Sequence, residues 1–107
     1  MPLTDEQALE AHIRAVEARA KAEVCAVHIA GFASEFERRF QAWRNANSAA
    51  LSRGAALAES KGMNGTKPPS LQSFARMQAQ LLGELPEDDR QRRCQELLAF
   101  LVESGTK

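Results

Sequence analysis

The eight residues IAGFASEF, residues 29–36, decide how this chain folds. They sit where an apolar stripe changes sides. At 100° per residue, Leu9, Ile13, Val16, Ala20, Val24 and Val27 fall within roughly 80° of arc. Cys25, Ile29, Phe32, Phe36, Phe40 and Trp43 fall on an equally narrow arc about 160° away. One continuous helix could bury opposite faces against different neighbours. A hairpin could instead turn at Gly31, with Ser34-Glu35-Phe36-Glu37 as a second capping box. The stretch carries no Asn, Asp or Pro, and one mid-helix Gly costs only about 1 kcal/mol against Ala. The sequence reading therefore favours a helix that is continuous, or kinked near Gly31, with the hairpin as its alternative.

Outward from that stretch, helix signals continue in both directions. Thr4-Asp5-Glu6-Gln7 is a capping-box pattern with acidic residues in the first turn. From Asp5 to Lys61 there is no proline, and only Gly31 and Gly54 interrupt. GMNGTKPPS, residues 62–70, cannot continue a helix and predicts a loop. Ser70 is placed to cap a helix over about 71–84, with Leu71, Phe74, Ala75, Leu81, Leu82 and Leu85 on one face. Pro86 with Glu87, Asp88 and Asp89 opens a last helix. That helix places Cys94, Leu97, Leu98, Leu101 and Val102 inward, and Ser104-Gly105 ends it. No segment has strand periodicity. The predicted fold is all-α, one domain over 1–107: a long N-terminal helical segment (5–61), a loop (62–70) and a C-terminal pair of shorter helices (71–104).

Composition excludes several classes. The chain has 107 residues, 44% apolar and 26% charged, as expected of a folded globular domain. No apolar run spans a membrane and no signal peptide opens it, so the expectation is a cytoplasmic protein without membrane contact. Arg outnumbers Lys and Ala is abundant, which suits a GC-rich bacterial genome. Cys25 and Cys94 are expected as reduced, partly buried thiols, with a bridge as the lesser alternative in that compartment. Net charge is zero but unevenly spread: residues 1–37 carry −4, 38–83 carry +6 and 84–107 carry −2. Acidic outer elements could fold beside the basic middle, or meet it in a second copy.

Catalytic and metal chemistry find little support. Cys25 and His28 share a helix face at i, i+3, but structural zinc wants four ligands. The Glu-x-x-His pairs of helical di-iron sites are missing. Cys25 beside His28 is the only local nucleophile–base pair, and it sits in an apolar helical stretch where a thiol is ordinarily inert. GMNGTK lacks the phosphate-loop spacing and follows a helix instead of a strand. The expectation is a non-enzyme with no catalytic residue, metal or cofactor.

Two binding readings remain. RRFQAWR interleaves Arg38, Arg39 and Arg44 with Phe40 and Trp43, and the basic segment 38–76 could meet nucleic acid through phosphate contacts and stacking. Against that, Phe36, Phe40 and Trp43 follow core spacing and the arginines point in several directions. The favoured reading is a helical bundle or coiled-coil protein-protein interaction module: an adaptor, a chaperone-like partner or a small inhibitor of a larger bacterial assembly. A continuous helix of about 57 residues would run about 85 Å. The short helices could not cover it, so a homo-oligomer is expected. The candidate interaction residues are Phe36, Phe40, Trp43, Arg38, Arg39, Arg44 and Phe100, the last lying off the main stripe of its helix.

Overall fold

In the computed structural model, which describes residues 2–65 and 67–105, the chain does not run straight through Gly31. Helix α1 spans Asp5–His28, α2 Phe32–Ala46, α3 Ser48–Ser60, α4 Leu71–Gly83 and α5 Glu87–Gly105. Every described element is helical. The expected 5–61 segment is thus three helices, not one continuous or kinked rod. Two local causes break it. Ile29 is extended and Gly31 takes φ +79°, a left-handed conformation that glycine adopts at no steric cost. At the second break, Asn47 departs from helical geometry, and its side-chain amide donates to the Trp43 carbonyl at 2.8 Å. The sequence reading had no signal for this second break.

The predicted caps are present. Thr4 and Gln7 form the reciprocal capping box of α1, and Ser70 with Ser73 forms one on α4. Ser34 is not the cap of α2. It lies inside that helix, and Gly31 occupies the cap position without a side-chain bond.

α1 is the axis of the molecule, and all four other helices pack on it. α3 crosses close to its N-terminal half. Gly54 lies so near that an added Cβ would fall 2.0 Å from the Ala8 carbonyl oxygen. Arg53 on the same helix donates to the Leu3 carbonyl at 2.6 Å and pairs with Asp5. The loop after α3 ties α4 into place through Leu71 N–H donating to the Met63 carbonyl. α4 then follows α1, and Gly83 reaches the Val24 side chain.

α2 and α5 pack on each other and on the far side of α1. Their core joins Ala18, Ala22 and Cys25 of α1 to Phe32, Phe36, Phe40 and Trp43 of α2, and to Leu82, Cys94 and Leu101. Four aromatic rings stack along α2 with centroids 6.1, 4.9 and 5.8 Å apart. The alanine face of α1 lets these rings approach, as small side chains should. Cys25 and Cys94 are disulfide-bonded and wholly buried, with Cα atoms 5.8 Å apart. This corrects the expectation of reduced thiols. The fold-back at Gly31 swings the second stripe round to α5, so both cysteines enter one core.

Candidate interaction groove

The first apolar stripe of α1 is only partly covered. α3 and α4 both rest on α1 but do not pack on each other among the described residues. The gap between them is a groove of about 1000 Å³. Its floor is α1 from His12 to Val24, with Ala15, Val16 and Ala20 between them. Leu51 and Ala55 of α3 form one wall, and Ala75 and Ala79 of α4 form the other. The end of α2 closes one side with Gln41, Arg44 and Asn45. From His12 to Val24, twelve helical rises, the floor measures about 18 Å.

The groove's charge is one-sided. Arg19, Arg44 and Arg76 line it against a single carboxylate, Glu23. Arg19 lies over the Phe40 ring at 4.9 Å and 3.7 Å from Glu37. Arg44 lies over the same ring at 5.9 Å. Among the described residues, neither Arg44 nor Arg76 has an acidic partner. The rest of the rim is neutral and polar: Ser48, Ser52, Gln72 and Gln80.

The sequence-predicted interaction residues are distributed differently. Phe36, Phe40 and Trp43 are 2–3% exposed, so they belong to the core and only the edge of Phe40 meets the groove. The Trp43 indole N–H is buried with no acceptor in reach, a placement suited to packing and not to contact with a partner. Phe100 is not a free second contact. It is half-buried, its ring 6.0 Å from Trp43 and covered by the Arg14 guanidinium. Arg38 and Arg39 both pair with Glu35 on the outside of α2, and Arg39 also donates to the Leu98 carbonyl at 3.3 Å. Those hydrogen bonds, Arg39 first and Arg38 second, hold the Glu35 carboxyl below its ordinary range. Of the seven candidates, Arg44 alone presents a charged group to the groove.

Sequence reasoning placed Ala75 on the packed face of its helix but missed Arg19, Arg76, Ala55 and Ala79. Arg76 was noted only within the basic segment. The sequence held no signal for an open groove: Val16, Ala20 and Val24 form a good stripe, and the large side chains of the later helices read as its cover, yet Phe74 and Leu81 face away from it. Two other corrections follow from the same geometry. Phe74 and Leu81, expected inside, are 48% and 56% exposed, because α4 buries its alanines against α1. Val102, also expected inside, is 45% exposed.

Cys25 has no free sulfur to offer His28, and His28 itself is exposed. The only local nucleophile–base pair in the sequence is therefore spent as a cross-link. No helix among the described residues is long and apolar enough to cross a membrane. No family model, curated protein or solved structure matches this chain.

Proposed function

We propose that the chain is a non-enzymatic helical interaction module, an adaptor, chaperone-like partner or small inhibitor of a larger bacterial assembly, whose working surface is the groove over α1. The carrying observation is the open seat between α3 and α4. The apolar part of its floor and walls is alanine, valine and leucine, edged by polar and charged side chains, and its length suits about three turns of helix. Helix-in-groove binding uses such a surface: an amphipathic helix lays its apolar ridge on the floor and keeps its polar face wet. Small residues below allow the two axes to approach closely.

A rod of about 85 Å would have needed a second copy to cover it, and the break at Gly31 removes the rod and that reason for a homo-oligomer. The nucleic-acid alternative loses its stacking residues, because Phe36, Phe40 and Trp43 are core. It keeps Arg44 and Arg76. The Cys25–Cys94 bond argues for an oxidising compartment over the cytoplasm expected from the sequence, since cytosolic pools keep thiols reduced.

A photo-crosslinking residue at Ala20, in cells that make the protein, tests the reading. Ala20 should give a discrete protein adduct, and the same label at exposed Glu6 should not. Equal labelling from both positions, or adducts only to nucleic acid, would count against the groove as a protein-binding surface.

A further inference from the structure

We infer that the occupant of this groove is an acidic amphipathic helix, one whose apolar ridge is flanked by Asp or Glu. The inference rests on the proposed groove and adds the chemistry of its partner. Three observations carry it. First, two elements bring positive charge to the seat: Arg44 lines it from the end of α2 and Arg76 from the α4 wall. Second, among the described residues these two groups have no carboxylate partner, whereas Arg14, Arg19, Arg38, Arg39, Arg53 and Arg92 each have one. Third, Ala15, Val16, Ala20 and Val24 give the floor an apolar strip, and the rim amides and hydroxyls can take backbone or side-chain hydrogen bonds without adding negative charge.

A phosphate backbone would satisfy the arginines but not the floor. Nucleic acid bound here would lay sugars or bases on alanine and valine, with no aromatic face free to stack. A helix with carboxylates beside its apolar ridge uses both features. Arg44 and Arg76 would then form bidentate bonds with carboxylates at the groove edge, where docking excludes water from one side. Charge complementarity of this kind mainly sets partner choice and the rate of encounter.

The test uses the intact, oxidised protein and three labelled probes, read by fluorescence polarisation. Two are 18-residue helical peptides with the same Leu/Ala ridge, one flanked by Glu and the other by Lys. The third is an 18-nucleotide single-stranded DNA. The Glu peptide should bind roughly tenfold or more tighter than the Lys peptide, and its affinity should fall as salt rises. Arg44→Glu together with Arg76→Glu should reverse the preference. Both positions are exposed, and thermal melts with the same midpoint as the parent protein would show that the fold is kept. Ser52→Trp, an exposed rim position whose indole would overhang the seat, provides the control for location. Equal binding of both peptides that Ser52→Trp abolishes would leave the groove as a helix seat and overturn its preference for acid. Tighter binding of the DNA, or no binding of the Glu peptide at millimolar concentration, would overturn the inference itself. The in-cell crosslink from Ala20 reports separately on whether any protein occupies the groove.

Discussion

Two glycines, both simple interruptions in the sequence, have opposite reasons for being glycine. Gly31 has empty space around it, so a methyl group there meets nothing. Its constraint is backbone alone, through φ +79°. Gly31→Ala should therefore destabilise by about 1 kcal/mol in thermal or urea melts. Ser34→Ala should be close to neutral, because Ser34 is inside α2 and caps nothing. Stabilisation by Gly31→Ala would restore the continuous helix. Gly54 has ordinary helical geometry, and propensity alone predicts a gain of about 1 kcal/mol on changing it to Ala. Sterics outweigh that gain: the new Cβ would sit 2.0 Å from the Ala8 carbonyl oxygen and 2.8 Å from His12 Cβ, neither of which is the end of a flexible chain. The expected result for Gly54→Ala is a net loss of about 1–3 kcal/mol. A neutral or stabilising outcome would mean that α3 does not cross α1 here.

At the scale of the helix, α2 contributes the core through one face. Phe32, Phe36, Phe40 and Trp43 are buried in a row, each touching the next. Phe40→Ala should cost about 3–5 kcal/mol by urea titration. A cost below about 1 kcal/mol would contradict a buried ring. This element was legible in the sequence because i, i+4, i+7 spacing of large apolar residues admits few other readings. The caps at Thr4 and Ser70 were legible for the same reason, each being a local pattern with one physical function. α4 was not. Its large residues, Phe74 and Leu81, share a face with Leu82 on a helical wheel, yet α1 chose the neighbouring line of Ala75 and Ala79 because small side chains allow closer packing. The break at Asn47 also escaped notice, since one Asn among Ala and Ser is compatible with helix. The groove depends on these two elements, so its walls could not be located from periodicity, although its floor could.

The whole molecule is flat, about 39 × 34 × 18 Å, and is cross-linked between α1 and α5. The Cys25–Cys94 bond closes a span of 69 residues, so its removal should cost about 4 kcal/mol by loop-closure entropy. Urea unfolding of the oxidised and the fully reduced protein measures that difference. Indistinguishable midpoints would contradict that contribution, and two free thiols in the untreated protein would contradict the bond itself. Flatness also explains why a chain of this size can leave a long groove: the four surrounding helices divide into two pairs and do not enclose α1.

The fold-back at Gly31 turns a potential rod into this plate and leaves α1 partly bare. Small-angle scattering on a sample held at 11.8 kDa by in-line light scattering tests it most directly. The folded-back chain predicts a radius of gyration close to the 14.1 Å of its Cα atoms, with a small addition for side chains and hydration. A continuous helix over residues 5–61 would give a value on the order of 25 Å, as a rod of about 85 Å must, and would contradict the architecture and the groove together.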